Sequence, residues 1–299
     1  MTRDEEDTMN EAVRRLEDYE TQPRHRATVL SSERITPQES DEEVRELSLE
    51  VDRPDCPYEV AQNIGVLAPG DPAFGQEHHF RLYSVADLPE RGRTGKPLVK
   101  ICVKRVDYID RYSGERYAGR ASNYLCDLSP GDKLWTTGPY GQAFEIPEQK
   151  DATLILIGSG TGIAPFRAFI KHLYRDAKQW KGRVWLFYGA RSGLEMLYQN
   201  EKNNDLAQYY DEATFEAFKA LSPRPHWADP IAWDMALAER GDELWQLLER
   251  DNTYVYVAGL EKMRDELDAV FGRLAGSEEK WLERKAALAA EMRWVELLY

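Results

Sequence analysis

Hydrophobic and polar positions follow two different patterns in the two halves of the chain. Between about residues 27 and 147, apolar and polar residues alternate in short segments at 27–30, 44–51, 62–67, 80–85, 98–106 and 133–137. Turn-forming clusters such as 68–72, 90–94 and 129–132 separate these segments. Alternation of this kind, interrupted by glycine and proline, is typical of antiparallel strands in a barrel or sandwich. We therefore predict an antiparallel β-barrel in this half.

After Pro147 the apolar runs become continuous. TLILIG (153–158), RVWLFYG (183–189) and TYVYVAG (253–259) each end in glycine. Runs of this kind indicate strands that are buried on both faces. Apolar residues at helical spacing follow the first and third runs. The pattern predicts an α/β, doubly wound parallel sheet, in which ligands bind beyond the carboxyl ends of the strands.

The change of pattern divides the sequence into three regions. A length of 299 residues is typical of about two domains. We predict a polar N-terminal extension over 1–26, the β-barrel domain over 27–148 and the α/β domain over 149–299. We expect residues 199–213 to form a surface excursion.

Charge and cysteine content exclude several classes of function. The chain has 53 acidic and 39 basic residues, a formal net charge of −14. This balance argues against a protein that binds nucleic acid or an anionic membrane surface. Cys56, Cys102 and Cys126 form no CxxC pair, and the five histidines show no ligand spacing. We therefore expect no metal site and no iron–sulfur cluster.

The same features favour a cytoplasmic protein with reduced thiols. An odd number of widely spaced cysteines does not suggest a disulfide framework. The N-terminal sequence MTRDEEDTMNE is acidic and lacks the apolar core of a signal peptide. No apolar run approaches the ~20 residues that span a bilayer, so we expect no membrane insertion.

A glycine-rich loop, GSGTGIAPF at 158–166, follows the first buried run and opens a predicted helix. Glycines let the backbone turn tightly, and N–H groups at a helix N-terminus suit a diphosphate. The loop lacks the GK[ST] of nucleoside triphosphatases, and Pro165 replaces a late glycine of the GxGxxG pattern. With the preceding strand and following helix, the loop predicts a dinucleotide site at Gly158, Gly160, Thr161, Gly162 and Pro165.

Six further motifs, in order along the chain from about residue 26 to 299, carry a family resemblance. They are RLYS (81–84), CVKR (102–105) followed by Tyr108, GRASNYLCDLSPGD (119–132), TGPYG (137–141), LFYGAR (186–191) and the terminal aromatic Tyr299. Together with the glycine loop, the chain resembles the plant-type ferredoxin–NADP⁺ reductases and their bacterial relatives. The resemblance implies an FAD-binding barrel followed by a nicotinamide-nucleotide domain.

For FAD, the resemblance implies specific roles for residues of the barrel. Arg81 would pair with the diphosphate, Tyr83 would lie against the isoalloxazine, and Ser84 would place its hydroxyl beside the reactive nitrogen N5. Tyr108 would stack on the adenine, which favours FAD over FMN, and Ser122 would help to hold the diphosphate. Further expected contacts are Leu82, Cys102, Val103, Gly119 and Ala121.

For the nicotinamide nucleotide, the resemblance implies that Thr161 and the adjacent glycines receive the diphosphate and nicotinamide ends. Lys104 would reach toward the phosphates, and Gly259 would lie near the nicotinamide. Ser222 aligns with the serine of the Ser-Arg pair found in NADP(H)-binding members, but Pro223 replaces the arginine. The positive charges near a 2′-phosphate would come from Arg224 and Arg191, so we expect NADP(H), with NAD(H) left open. Trp233 is a candidate to stack on the adenine.

Four residues are the candidates for catalysis: Ser84, Tyr299, Ala258 and Glu296. Tyr299 would cover the flavin and swing aside for the nicotinamide. Ala258 stands where the family has a cysteine, and Leu297 stands where it has an acid. Glu296 lies one place earlier, and a one-residue slip would restore the acid. We therefore expect a working but slower nicotinamide step.

The predicted function is that of an FAD-dependent reductase that exchanges a hydride with NADP(H) and single electrons with a separate ferredoxin or flavodoxin. Such carriers are usually acidic, so the docking face would need local positive charge. The candidates are Arg91, Arg93, Lys96, Lys100 and Lys104. Two alternatives stay open: a reductase component of an oxygenase system, and a flavin-binding protein with weakened hydride transfer.

Overall fold

The computed structural model describes residues 15–53, 57–142, 144–176, 180–227 and 229–299. The chain splits into two compact units. The second unit consists of Thr36–Asp41 and Phe144–Tyr299, and the first unit comprises the rest. Within the described residues, no helix is both long and apolar enough to cross a membrane.

The first unit is built on a seven-stranded antiparallel sheet in the order β4-β3-β9-β1-β2-β6-β5. Its strands are β1 (His25–Arg34), β2 (Val44–Val51), β3 (Gln62–Pro69), β4 (His78–Ser84), β5 (Glu90–Arg91), β6 (Pro97–Lys104) and β9 (Lys133–Gln142). An antiparallel bridge between Val85 and Ile101 links the end of β4 to β6. This link closes the sheet, and the predicted antiparallel barrel is confirmed.

A helix and a small ribbon complete the first unit. Strands β7 (Asp107–Ile109) and β8 (Arg116–Ala118) pair with each other, and helix α1 (Arg120–Asp127) follows. Helix α1 buries Leu125 and Cys126 in the same core as Leu47, Ile64 and Ile101. Because α1 packs into this core, its N-terminus is held in a fixed place on the barrel.

The chain before β1 is docked on the barrel. Leu16–Asp18 forms a 3-10 helix, and the Tyr19 ring packs edge-on against Tyr140 with centroids 5.3 Å apart. The Tyr140 hydroxyl donates a hydrogen bond to the Glu20 carbonyl at 2.5 Å. Strand β1 begins at His25, inside the region predicted as a polar extension. Residues 1–14 of that extension lie outside the described residues.

The second unit is a five-stranded parallel sheet in the order β12-β11-β10-β13-β14. Its strands are β10 (Thr153–Ser159), β11 (Val184–Ala190), β12 (Phe215–Leu221), β13 (Thr253–Gly259) and β14 (Trp294–Leu298). Its helices are α2 (Ile163–Lys171), α3 (Trp233–Ala238), α4 (Gly241–Leu248), α5 (Met263–Ala275) and α6 (Glu278–Ala290). Every residue of β10 and β11 is buried, and the predicted doubly wound sheet is confirmed.

Short helical turns connect these elements. They are 3-10 turns at Pro72–Phe74, Gly160–Gly162, Gly193–Glu195, Asp205–Tyr209 and Pro225–Trp227, and a π-helical turn at His172–Asp176.

The strand order reverses between β10 and β13. From β10 the chain adds β11 and then β12 on one side, whereas β13 and β14 lie on the other side. A reversal of this kind opens a crevice at the carboxyl ends of the strands. At this point a Cβ on Gly162 would lie 2.1 Å from the Ala258 carbonyl oxygen. Only glycine therefore allows the loop before α2 to rest directly on the end of β13.

The segment expected to be a surface excursion is instead packed against α2. Leu206 is fully buried, and the Asp205 carboxylate pairs with Arg167 at 2.5 Å and with Lys171 at 2.9 Å. Burial alone would raise the pKa of Asp205, but the hydrogen bond and charge of Arg167, together with Lys171, lower it. The expectation fails around Asp205 and Leu206, because two buried cations on α2 require an anion and this polar segment supplies it. Residues 201, 202, 204, 208 and 210–213 are exposed, as expected.

Strand β14 is tied to α5 and α6 through Glu296, whose carboxylate has three partners. The Glu296 carboxylate accepts hydrogen bonds from Arg264 at 2.9 Å and from the Trp294 indole at 2.8 Å, and it pairs with Lys285 at 2.8 Å. Burial alone would raise the pKa of Glu296, but these partners outweigh it and the pKa is lowered. The network holds the strand that leads to Tyr299.

Replacing Gly162 with alanine should destabilise the protein by about 1–3 kcal/mol, the usual range for overpacking, because the new methyl group meets backbone. Urea unfolding monitors the free energy of unfolding. Gly193→Ala is the matched control, since no atom lies within 4 Å of its Cβ, and it should change stability little. Equal stability of the two variants would contradict the close contact at Gly162.

Replacing Glu296 with glutamine should reduce the free energy of unfolding at neutral pH by about 1–3 kcal/mol, because the charge-assisted hydrogen bonds are lost. Since the folded pKa is lowered, the carboxylate stabilises fully above the ordinary glutamate pKa. This contribution disappears as the pH falls through the lowered value, so the difference from wild type should narrow in acid. Glu283→Gln, at an exposed position of α6, is the control. A difference that does not depend on pH would contradict this role.

Candidate functional site

Strand β4 presents the RLYS residues on two faces. Tyr83 lies opposite Ile64 of β3, and Ser84 lies opposite Asn63. Because strand residues alternate, Arg81 and Tyr83 share one face, and Leu82 and Ser84 share the other. The Ser84 hydroxyl donates a hydrogen bond to Asn63 Oδ1 at 2.9 Å. This bond fixes the direction in which the Ser84 oxygen presents its lone pairs.

Tyr83 packs against the core of the barrel beside α1. Burial raises the pKa of Tyr83, and the nearby thiol of Cys126 adds to the rise. The phenol therefore stays neutral across the physiological range. The result is a rigid, uncharged aromatic ring next to the helix that follows Gly119.

Gly119 brings the N-terminus of α1 close to the chain at Val106. Its N–H donates to the Val106 carbonyl at 2.7 Å, and a Cβ there would lie 2.6 Å from that oxygen. The Ser122 hydroxyl accepts from the Val106 N–H at 3.2 Å and donates to the Gly119 carbonyl at 3.1 Å. The N-cap residue of α1, Gly119, has no side chain that could cap the first turn, so the N–H groups of this turn are suited to an anion.

Two arginines, Arg81 and Arg120, lie near this helix N-terminus. The pKa of His79 is lowered by burial and then by the charges of Arg81 and Arg120. Arg120 pairs with Asp71 at 2.5 Å. Arg81 donates to the Phe80 carbonyl at 2.7 Å and forms no ion pair within the described part of the chain. Arg81 is therefore the cation that is most available to an anionic group.

Two exposed tyrosine rings stack on the β7–β8 ribbon. Tyr108 lies opposite Tyr117, with ring centroids 5.6 Å apart and an interplanar angle of 24°. Their exposed fractions are 56% and 43%. Tyr117 was missed from the sequence, although its position two residues before Gly119 on a short strand could have placed it beside Tyr108. The pair forms a flat aromatic surface.

Three other residues expected at the flavin are buried inside the first unit. Cys102, Val103 and Ala121 are each less than 7% exposed. Their side chains are buried, so only their backbone atoms could contact a cofactor.

The lysines expected at a docking face are each paired with carboxylates. Lys96 pairs with Asp52 at 3.1 Å. Lys100 pairs with Asp87 at 2.9 Å and with Glu46 at 3.4 Å. Lys104 pairs with Glu42 at 2.5 Å, so the structure gives it a partner within the first unit. Arg91 and Arg93 are exposed. The expected cationic face is therefore interleaved with acids.

In the second unit the glycine loop connects β10 to α2. Gly158 lies at the end of β10, between Tyr188 of β11 and Ala258 of β13. Gly160 has a positive φ of 53°, and its carbonyl accepts a hydrogen bond from the buried Tyr188 hydroxyl at 3.0 Å. Pro165 is buried in the first turn of α2. The loop is therefore held in place by contacts with both neighbouring strands, β11 and β13.

Tyr299 is attached to this loop by its side chain and to β13 by its backbone. Its hydroxyl lies 2.5 Å from Thr161 Oγ1, and its N–H donates to the Gly259 carbonyl at 3.0 Å. Its own carbonyl oxygen accepts from the Glu261 N–H at 3.2 Å. The ring remains 58% exposed. The structure thus brings Thr161, Gly259 and Tyr299 together, while the role of Tyr299 as a cover of the flavin stays a prediction.

The structure separates Glu296 from this group. Strands β13 and β14 pair without a break, with Ala258 opposite Leu297 and Val257 opposite Glu296. The one-residue slip that would restore the acid is therefore absent, and the Glu296 carboxylate is held by Arg264 and Lys285. Ala258 is fully buried, and with Leu297 it offers only hydrocarbon at this end of the sheet.

A second set of predicted residues follows β11 and β12. Arg191 comes directly after β11 and lies 3.8 Å from Glu195. The Ser222 hydroxyl donates to the Asp229 carbonyl at 2.8 Å, and Arg224 pairs with the Asp229 carboxylate at 2.8 Å.

The expectation that Trp233 stacks on the adenine was wrong. It is 1% exposed, and its ring lies so close to Gly189 that a Cβ there would be 2.5 Å from it. Trp227 was missed from the sequence because nothing in the local pattern distinguishes an exposed from a buried tryptophan. It is 76% exposed, with the Arg224 guanidinium 5.4 Å from its ring. Trp227 is therefore the aromatic surface at this end of the sheet.

Comparison with known proteins agrees with this arrangement. A sequence model described as an oxidoreductase NAD-binding domain matches residues 156–268. The chain is 34% identical over 273 residues to a ferredoxin–NADP reductase of Thermosynechococcus vestitus, covering 89% of this chain and 70% of that one. It is 35% identical over 244 residues to the chloroplastic leaf isozyme 1 of Arabidopsis thaliana, covering 80% and 68%. It is 32% identical over 273 residues to a ferredoxin–NADP reductase of a Spirulina species, covering 89% and 92%.

Among solved structures, a ferredoxin–NADP⁺ reductase from Plasmodium falciparum shares the fold. The TM-score is 0.68 at 18% identity, and the match covers 94% of this chain and 98% of that one. Relatives above 30% identity that span most of both chains confirm the resemblance carried by the motifs. The chain belongs to the ferredoxin–NADP reductase family.

Proposed function

We propose that this chain is an FAD-containing reductase that exchanges a hydride with NADP(H) and single electrons with a separate ferredoxin- or flavodoxin-type carrier. The observation that carries the proposal is the meeting of Thr161, Gly259 and Tyr299 at the point where the strand order reverses. In open α/β sheets this is where nucleotides bind. We assign FAD to the barrel domain (27–148) and NADP(H) to the α/β domain (149–299).

The residues of the first unit fit an FAD molecule. A diphosphate needs N–H donors and positive charge, and the start of α1 lies near the guanidinium groups of Arg81 and Arg120. An adenine needs an exposed aromatic face, and the stacked Tyr108 and Tyr117 provide one. The neutral Tyr83 ring supplies a second apolar plate beside α1.

The bound flavin would supply a ring system that accepts a hydride and releases electrons one at a time. The chain contributes positioning. The Ser84 hydroxyl donates its hydrogen bond to Asn63, so its oxygen is left to act as an acceptor. Ala258 and Leu297 provide neither a thiol nor an acid, so this chain relies on placement of the nicotinamide rather than on a titrating group at these two positions. This supports the expectation of a slower nicotinamide step.

The second unit would hold the nicotinamide nucleotide along the carboxyl ends of its strands. The N–H groups of the glycine loop and of the start of α2 would receive the diphosphate. The nicotinamide would then lie toward β13, where Thr161 and Tyr299 offer hydroxyl groups. The adenosine would extend toward Ser222 and Trp227 beyond β12.

Ferredoxin is the partner that the names of the relatives give. Because Lys96, Lys100 and Lys104 are paired with acids, a carrier would meet alternating charges rather than a uniform cationic face. A cytoplasmic location stays a prediction, since some relatives are chloroplastic.

Anaerobic absorption spectroscopy tests the proposed function. Protein incubated with FAD and freed of excess should be yellow, NADPH should bleach it, and oxidised ferredoxin should restore the colour. A protein that takes up no FAD would contradict the proposal. A yellow protein that NADPH does not bleach would favour the flavin-binding alternative. Titration with NADH in parallel ranks the two nucleotides.

Replacing Arg81 with methionine should weaken FAD binding by about tenfold or more, because a charge-assisted hydrogen bond to phosphate contributes about 1.5–3 kcal/mol. Quenching of FAD fluorescence measures the dissociation constant. Lys133→Met removes one exposed positive charge from β9 and should leave the constant unchanged. If both variants bind FAD like the wild type, Arg81 does not hold the diphosphate.

A further inference from the structure

The topology of the parallel sheet indicates where the 2′-position of a bound nucleotide would lie. This step rests on the proposed function. With the diphosphate on the glycine loop after β10 and the nicotinamide toward β13, the adenosine must extend over β11 toward β12. Neighbouring strands are about 4.8 Å apart, so the end of β12 is about 10 Å from the loop. The residues that follow β12 therefore face the adenosine ribose.

Asp229 organises the chain at this end of β12. Its carbonyl accepts the Ser222 hydroxyl at 2.8 Å. Its carboxylate accepts two hydrogen bonds from Arg224, from Nε to Oδ2 at 2.8 Å and from Nη2 to Oδ1 at 3.4 Å. The Ser222 and Arg224 side chains, both expected at a 2′-phosphate, are thus both bonded to one acidic residue.

The charges at this place are balanced. Arg224 is 65% exposed, but its charge is opposed by Asp229, whose side chain is 22% exposed. Arg191, after the neighbouring strand, faces Glu195 at 3.8 Å. A 2′-phosphate brings further negative charge close to the Asp229 carboxylate, whereas a 2′-hydroxyl can donate a hydrogen bond to it. Carboxylates at this position favour NAD(H), and free arginines favour NADP(H).

We propose that Asp229 is a specificity-determining residue that narrows the preference of this reductase for NADP(H) over NAD(H). It does so by holding Arg224 in an ion pair and by placing a carboxylate where the 2′-phosphate would bind. The Arg224 guanidinium also lies 5.4 Å from the ring of Trp227, which carries no charge and offers the same aromatic surface to either nucleotide. The discrimination therefore depends on charge rather than on shape.

Isothermal titration of the FAD-loaded protein with 2′-AMP and 5′-AMP tests the proposal without turnover. Asp229→Asn keeps the size of the side chain and the carbonyl that receives Ser222. It should tighten 2′-AMP binding by about tenfold, the effect expected from removing one charge near a phosphate. Binding of 5′-AMP should stay within about twofold. The gain should shrink as salt is added, because exposed charges are screened.

Two further variants separate this effect from a general change of charge. Glu243→Gln makes the same charge change at the opposite end of the sheet, where Glu243 pairs with Arg183, just before β11, and should alter neither affinity. Adding Arg224→Gln to Asp229→Asn should cancel the gain for 2′-AMP. The ratio of kcat/KM for NADPH to that for NADH should rise in Asp229→Asn in parallel with the affinity.

The outcomes distinguish this inference from the proposed function. If Asp229→Asn binds 2′-AMP no more tightly than the wild type while 5′-AMP binding persists, the role of Asp229 is wrong and the reductase assignment stands. If neither mononucleotide binds either protein, the nucleotide site in the second unit is wrong, and the inference fails with it.

Discussion

The close contact between Gly162 and the carbonyl of Ala258 is the constraint on which the nucleotide half of this molecule depends. It occurs between the parallel strands β10 and β13, where the order of the strands in the sheet reverses. Without a side chain at 162, α2 can begin directly over the end of β13. This places Thr161 within reach of Tyr299, whose backbone is itself bonded to Gly259 and Glu261. The absence of a side chain at Gly162 thus sets the positions of the glycine loop and of the Tyr299 ring together.

The first unit positions the N-terminus of a helix in a similar way. Gly119 draws the start of α1 against Val106, while Leu125 and Cys126 anchor the helix in the barrel core. The helix N-terminus is then fixed beside Arg81 of β4, which forms no ion pair with a carboxylate within the described residues. In both units a glycine allows a helix N-terminus to approach another part of the backbone. Helices anchored in this way offer N–H groups to phosphate without the cost of ordering a loop at binding.

Periodicity predicted the barrel and the parallel sheet because buried strands carry strong signals. Strands β12 and β14 escaped prediction because edge strands are only partly buried, and FEAFKAL and WVELL contain polar positions. The glycine loop and the RLYS strand were recognisable because they depend on local residue types. The place of Glu296 was not, because it depends on the register of β14 and on charges contributed by α5 and α6. The same holds for Asp205, Asp229 and the acids that pair with Lys96, Lys100 and Lys104, since ion pairs between distant segments leave no local pattern.

We propose that the loop at the strand reversal receives the nucleotide diphosphate. The most direct test is a crystal structure of the FAD-loaded protein with NADP⁺ bound. Diphosphate oxygens should lie within hydrogen-bond distance of the N–H groups of Gly160–Gly162, and the adenosine ribose should lie beside Ser222. A nucleotide bound elsewhere, with the loop free of phosphate and its Thr161–Tyr299 hydrogen bond unchanged, would show that this loop does not receive the diphosphate.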